Sequence, residues 1–224
     1  MKKILVSIFC LAFASCCANG QTLKLDPKST VRIQGVVTGA IKAKGKELLD
    51  MSKQFNEVTL LINSPGGQVL AGLQFVDIME LVKSRGTKIR CVVPNLAASM
   101  AFHILAHCDS RFSLNSAILL WHPAKLGCFM CSLSAEQLLY EGAALMALEE
   151  PQNQALIEIL KVQPDFYYYH YKNETVWLGY VLAAELPDFI STVTDIQGID
   201  DFQSMNSEVE NYLNTLMEKT AKDF

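Results

Sequence analysis

The chain has 224 residues, of which 50% are apolar and 19% are charged, with a formal net charge of −4 at pH 7. This length is enough for one sizeable α/β core. The sequence has no basic stripe, which argues against a nucleic-acid-binding protein, and no acidic run or low-complexity tract, which argues against a largely disordered chain.

The first residues have the pattern of an export signal. Lys2 and Lys3 precede an apolar run over residues 4–14, which is too short to span a bilayer. We therefore expect residues 1–16 to be a signal peptide, and the mature protein to lie in the periplasm or on the cell envelope. The alternative interpretation of this segment is a buried N-terminal strand or helix.

The site of signal cleavage has two interpretations. Residues 13–16 (F-A-S-C) resemble a bacterial lipobox, with Phe13 in the place of the usual Leu. This predicts a lipid on Cys16 and attachment of the protein to the membrane. Ordinary cleavage near Ala18 is the alternative, because small residues also precede that position.

Hydrophobic patterning predicts strands that alternate with helices, which is typical of an α/β layered fold with parallel strands. Two short apolar runs, residues 58–63 and 88–93, are expected of strands buried on both faces. The predicted strands cover residues 30–37, 58–63, 88–93, 117–121 and 190–193. The predicted helices cover residues 40–55, 70–82, 97–106, 133–162 and 206–222.

The long helix over residues 133–162 has capping candidates at its start, Ser132 or Ser134 with Glu136 or Gln137. Pro151 lies inside it and is expected to kink it. The last helix, within residues 201–224, is predicted to be amphipathic. No internal repeat or long linker divides the sequence.

Three polar features lie just past the C-terminal ends of three apolar strands, at the edge where open α/β sheets bind ligands. They are the turn S-P-G-G at residues 64–67, Ser99 and His122. Gly67 can present an unobstructed backbone N–H, Ser99 stands at a predicted helix start, and His122 can accept a proton. Taken singly, Ser99 is typical of a helix cap and His122 of a structural residue.

Together these segments resemble the ClpP family of serine peptidases. N-S-P-G-G-Q-V-L-A-G at 63–72 is similar to the family motif, and D-I-M at 77–79 fits the helix that follows it. L-A-A-S-M-A at 96–101 is similar to the nucleophile motif, and W-H-P at 121–123 to the segment of the catalytic histidine. The motifs come in the family order, with His122 23 positions after Ser99, and the similarity covers about residues 30–195.

The resemblance implies a ClpP/crotonase-like fold of stacked β-α units over residues 28–200, with helix 133–162 as a protruding handle that joins subunits of a homo-oligomer. It implies that Ser99 attacks a peptide carbonyl and that His122 is the general base. The N–H groups of Gly67 and Met100 would form the oxyanion hole. No cofactor and no metal is expected.

The third catalytic residue of the family has no obvious counterpart here. Counting back from W-L-G at 177–179 puts Tyr171 at the position of the family's Asp. Glu174 is the candidate to orient His122, with Asn173 or Asp165 as alternatives, and each of them can equally be a solvated loop residue. A second departure is that Pro123 follows His122 directly, where the family usually has a residue between.

Other polar or reactive residues have structural alternatives. Cys128 and Cys131 can form a short disulfide or remain free thiols. His103 and His107 have a metal-compatible spacing, but packing is the favoured interpretation. The aromatic run over residues 167–171 can be a substrate-facing or membrane-edge patch, but a loop that packs on the core is the favoured interpretation.

The functional hypothesis is an ATP-independent serine endopeptidase that cleaves peptides or unfolded segments in the bacterial cell envelope. The export signal suggests it, because ATP is scarce outside the inner membrane, and the chain has no phosphate-binding G-x-x-x-x-G-K-[ST] motif. One alternative is a catalytically impaired scaffold or peptide-binding protein of the same fold, and a third is an acyl-CoA enzyme. A Ser–Lys peptidase is disfavoured because Lys83 and Lys88 lie in no matching motif.

Overall fold

The computed structural model describes residues 21–125 and 134–198. The predictions for the signal segment, Cys16, Cys128, Cys131 and the C-terminal helix lie outside the described residues. The strands are β1 (Thr22–Lys24), β2 (Thr30–Gln34), β3 (Glu57–Asn63), β4 (Lys88–Val93), β5 (Leu96–Ala98), β6 (Ser110–Leu114), β7 (Ile118–Leu120), β8 (Val176–Leu178), β9 (Ser191–Val193) and β10 (Asp195–Gln197). The helices are α1 (Ile41–Met51), α2 (Val69–Ser84), α3 (Met100–Ala106), α4 (Ala135–Leu160), α5 (Pro164–Lys172) and α6 (Gly179–Glu185).

A five-stranded, fully parallel sheet forms the centre of the fold, in the order β2-β3-β4-β6-β9. The central strands β3 and β4 are buried along nearly their whole length, which is why they are continuous apolar runs. The sequence did not predict β6, whose residues S-R-F-S-L lack a clear hydrophobic pattern and are mostly half-buried.

A smaller sheet of β5, β7 and β8 lies beside the main one, and it corrects one prediction. Residues 97 and 98 were expected in a helix, but they belong to β5, which pairs in parallel with β7. Ala97 and Ala98 are fully buried, and their backbone pairs with Leu119 and Leu120 of β7, a long-range contact that the local pattern does not reveal. Helix α3 begins only at Met100.

Helix α4 confirms the predicted long helix. The Ser134 side chain accepts a hydrogen bond from the N–H of Gln137, whose side chain in turn accepts from the N–H of Ser134, so this pair forms the capping box. Pro151 lies inside the helix. Leu139 and Tyr140 near its start are more than 70% exposed, so this end of α4 carries apolar side chains on its surface.

The aromatic run over residues 167–171 is a helix, α5, and not the loop that was expected. Pro164 occupies its first turn, where a proline costs no hydrogen bond. Tyr167 and Tyr171 then lie one turn apart on the buried side, with ring centroids separated by 5.6 Å.

No helix among the described residues combines the length and the apolar character that a membrane span requires.

Candidate active site

Ser99 lies at a sharp turn between β5 and α3. Its backbone has φ 55° and ψ −124°, a conformation that non-glycine residues rarely adopt. The Ser99 N–H donates to the carbonyl of Leu120 at 2.9 Å, so the β5–β7 ladder continues up to this residue. The turn therefore places the Ser99 side chain at the end of the strand, and such strained positions are typical of functional sites.

His122 follows the neighbouring strand at the same edge of the sheet. Because Ala98 pairs with Leu120, Ser99 stands opposite Trp121, and His122 comes next along the chain. Ser99 and His122 line one pocket. The structure thus brings together the two residues that the sequence proposed as nucleophile and general base.

The His122 ring is held by the backbone. Its Nδ1 lies 2.6 Å from the carbonyl oxygen of Pro123. A carbonyl can only accept a hydrogen bond, so Nδ1 is the donor in this contact, and in the neutral ring Nε2 is then the acceptor. That tautomer is the one a general base needs.

The glycine turn packs directly against the nucleophile. Gly66 has φ 89°, and a Cβ built there would lie 2.7 Å from Ser99 Cβ and 2.8 Å from Met100 N. Only glycine allows this close approach. Ser64 fixes the turn, because its hydroxyl accepts from the Gly66 N–H and donates to the carbonyl of Gly35 at 2.6 Å.

The two predicted oxyanion donors are available. Within the described residues, the N–H groups of Gly67 and Met100 donate no hydrogen bond. Gly67 lies opposite Val37 in a β-bridge whose hydrogen bonds are made by the Gly66 carbonyl and the Gln68 N–H. The Gly67 N–H takes no part in this bridge, and Gly67 is exposed. Both donors belong to segments that contact Ser99.

The candidates for the third catalytic residue lie elsewhere. If the pairing of β7 with β8 is extended by two residues, Glu174 lies opposite His122. The Glu174 carboxylate, however, forms an ion pair with Lys125 Nζ at 2.6 Å. The Asn173 side chain donates to the Tyr169 carbonyl, and Asp165 lies in the first turn of α5. Glu174, Asn173 and Asp165 are all outside the group of residues that line the pocket.

The pattern of the Clp protease family matches residues 33–158, more than half of the chain. The chain belongs to the Clp protease family. The proteolytic subunit of the ATP-dependent Clp protease of Streptococcus mutans serotype c is 30% identical over 141 residues, which cover 59% of this chain and 70% of that protein. The α/β architecture, with its mostly parallel sheet, is that of the ClpP/crotonase-like fold, as predicted.

The match to the Clp protease family contains Ser99 and His122 but ends before α5. The family thus supports a ClpP-like serine peptidase in general terms. The segment with Glu174, Asn173 and Asp165 lies beyond the matched residues, where the sequence motifs were also weakest.

One wall of the pocket in this Clp-family chain was not predicted from the sequence. Glu149, Gln152, Asn153 and Leu156 of α4 all line it. Their spacing of i, i+3, i+4 and i+7 places them on one face of the helix. The spacing was visible in the sequence, but nothing there showed that this face of the helix meets Ser99.

A disulfide joins Cys91 of β4 to Cys108, just after α3, with the two Cα atoms 5.9 Å apart. Nothing in the sequence indicated this pair. It ties the far end of the helix that follows Ser99 to the central sheet.

Lys83, the lysine considered for a Ser–Lys pair, lies outside the pocket lining. It donates to the His107 carbonyl and forms an ion pair with Glu80.

His103 lines the pocket from α3 and is 6% exposed. Burial first, and the neighbouring His107 second, lower the pKa of His103 to about 4, while a hydrogen bond with Gln152 opposes them. His103 is therefore neutral near pH 7. Among the described residues, no group of three or more metal-binding side chains was found around it or elsewhere.

Proposed function

We propose that this protein is an exported serine endopeptidase that cleaves peptides or unfolded protein segments through an acyl-enzyme on Ser99, without ATP. The observation that carries the proposal is the shared pocket of Ser99 and His122, with Gly66 packed against Ser99. Membership of the Clp protease family supports peptide hydrolysis as the reaction.

In the proposed mechanism, Ser99 Oγ attacks the scissile carbonyl as His122 Nε2 accepts the hydroxyl proton. The same proton then passes to the leaving amine, and water hydrolyses the ester by the reverse proton path. The strained backbone of Ser99 orients the hydroxyl at the end of β5. Covalent catalysis of this kind divides one difficult step into two easier ones.

The tetrahedral intermediate carries a negative oxygen that needs hydrogen-bond donors. The N–H groups of Gly67 and Met100 supply two donors that make no other hydrogen bond in the described residues. Each donor of this kind contributes roughly 3–4 kcal/mol to transition-state stabilisation in serine peptidases.

The Pro123 carbonyl takes the orienting role in this proposal. It holds the Nδ1 proton of His122, as the carboxylate of a catalytic Asp does. A carbonyl is neutral, however, so it stabilises the imidazolium less than a carboxylate would. Glu174 remains the proposed carboxylate partner if its pair with Lys125 opens during the reaction.

The proposed location and assembly have their own support. The N-terminal pattern suggests export with a lipid on Cys16, and the buried disulfide of Cys91 and Cys108 favours an oxidising compartment. The exposed apolar side chains near the start of α4 favour subunit contacts through this helix. We propose residues 28–200 as the peptidase domain and 201–224 as an appended helix.

A non-catalytic scaffold of the same fold is the second candidate. The observation that favours it is the occupied carboxylate of Glu174, since no described acidic side chain bonds to His122. Such a protein would bind peptides in the pocket and leave them intact.

Hydrolysis of an unfolded substrate separates the two candidates. We expect the purified mature protein to cleave fluorescent β-casein without ATP, and Ser99→Ala to abolish the cleavage. Ser84→Ala is the matched control, because Ser84 is an exposed serine outside the pocket at the end of α2. Binding of casein without cleavage by the wild-type oligomer would support the scaffold.

A further inference from the structure

The pocket beside Ser99 has an apolar body and one polar wall. Val69, Leu73 and Leu156 supply apolar surface, whereas Glu149 and Gln152 are polar and come from one face of α4. A pocket next to the nucleophile receives the side chain of the residue whose carbonyl is attacked. Its lining therefore determines which peptide bonds are cleaved.

Glu149 brings a carboxylate to this pocket. Its Oε1 accepts hydrogen bonds from the Tyr171 hydroxyl at 2.8 Å and from the N–H of Ala124. Both donors are neutral, so they fix the position of the carboxylate without cancelling its charge. Within the described residues no Lys or Arg forms an ion pair with Glu149, since Lys125 pairs with Glu174 instead.

The Glu149 charge affects the pKa values of the neighbouring tyrosines. Burial is the main cause that raises the pKa of Tyr167 and of Tyr171, and the Glu149 carboxylate raises both further. Tyr167 in turn donates to Asn153 at 2.8 Å. These contacts hold the side chains around the carboxylate in place.

A second polar group, the His103 imidazole, lies in the pocket wall. His103 Nε2 is buried and has no hydrogen-bond partner in the described part of the chain, while the ring makes a hydrogen bond with Gln152. A buried polar atom without a partner costs free energy, which a polar group on a bound side chain would recover.

We propose that this pocket accepts a lysine or arginine side chain, so that the enzyme cleaves after basic residues. This inference rests on the proposed peptidase function. The aliphatic stem of the substrate side chain would pack along Leu73 and Leu156, and its cationic end would reach Glu149. A cation that leaves water for a partly enclosed site is stabilised there only if a counter-charge is present.

The test compares fluorogenic peptides that differ only in the residue before the cleaved bond: lysine, arginine, leucine or glutamine. We expect a kcat/KM ratio of lysine to leucine above one for the wild type. Glu149→Gln keeps an acceptor for Tyr171 and Ala124 but removes the charge, so it should lower this ratio about tenfold or more. The leucine peptide should be cleaved within a few-fold of the wild-type rate.

Glu150→Gln is the matched control. Glu150 is exposed, contacts Tyr168 and Gln154, and lies outside the pocket lining. We expect it to leave the lysine-to-leucine ratio unchanged. Added salt gives a readout that needs no variant, because it should lower kcat/KM for the lysine peptide more than for the leucine peptide.

A wild-type preference for leucine over lysine would overturn the inference, and so would an unchanged ratio in Glu149→Gln. In both cases the leucine peptide is still cleaved, and the peptidase function stands. If the wild type cleaves none of the peptides and Ser99 reacts with no active-site probe, the proposed function itself fails and this inference with it.

Discussion

Gly66→Ala tests whether the glycine turn must touch the nucleophile. The new Cβ would lie 2.6 Å from the Ala98 carbonyl oxygen, 2.7 Å from Ser99 Cβ and 2.8 Å from Met100 N. These neighbours are backbone atoms or are attached directly to the backbone, so they cannot rotate away. The left-handed φ of 89° adds strain for any L side chain.

The magnitude follows from these two costs. Placing alanine in the left-handed region costs about 1–2 kcal/mol. Overpacking against a rigid neighbour adds about 1–3 kcal/mol. We therefore expect Gly66→Ala to lower the free energy of unfolding by about 2–5 kcal/mol. Displacement of the Met100 N–H should also lower kcat/KM by about 10²–10³.

Gly86→Ala is the matched control for this experiment. Gly86 has φ 92°, but a Cβ built there has nothing within 4 Å, so only the backbone strain of about 1–2 kcal/mol applies. Urea denaturation gives the free energies, and peptide hydrolysis gives kcat/KM. Equal destabilisation by both substitutions, with full activity in Gly66→Ala, would refute the close packing against Ser99.

Two further predictions concern stability. Burial lowers the pKa of His103 from 6.5 to about 4, so between these pH values the unfolded chain binds a proton that the folded protein does not. The free energy of unfolding should therefore fall by about 3 kcal/mol as the pH drops through this window. His103→Leu should reduce that fall. Urea denaturation at several pH values measures it, and the same pH dependence of the unfolding free energy in both proteins would contradict the prediction. The disulfide of Cys91 and Cys108 closes a loop with a sequence separation of 17. Its reduction should lower the free energy of unfolding by about 3 kcal/mol. Denaturation with and without reductant measures this difference, and equal free energies would show that the bond contributes nothing.

The sequence predicted the central strands well, because β3 and β4 are apolar on both faces. It failed where a partner distant in the chain decides the structure. Residues 96–98 are a strand only because β7 lies alongside them, and local propensity could not reveal that pairing. Helix α5 was mistaken for a loop because its helical signal is an i, i+4 pair of tyrosines within a run of aromatics.

The site was predicted only in part. His122 follows a strand that the hydrophobic pattern predicted, whereas Ser99 follows β5, which the pattern missed, and Ser99 was located by its motif alone. Glu174 depends on an antiparallel pairing of β7 and β8, and its ion pair with Lys125 could not be seen in the sequence. Glu149 entered the site through the packing of α4, a tertiary contact that the helical pattern alone does not locate.

The central claim is that Ser99 is an activated nucleophile, and labelling with a fluorophosphonate probe tests it most directly. Peptide mapping by mass spectrometry should find the adduct on Ser99 in the folded, native protein. The adduct should be absent in Ser99→Ala, much reduced in His122→Ala and unchanged in Ser84→Ala. A wild-type protein that stays unlabelled under these conditions would contradict the account.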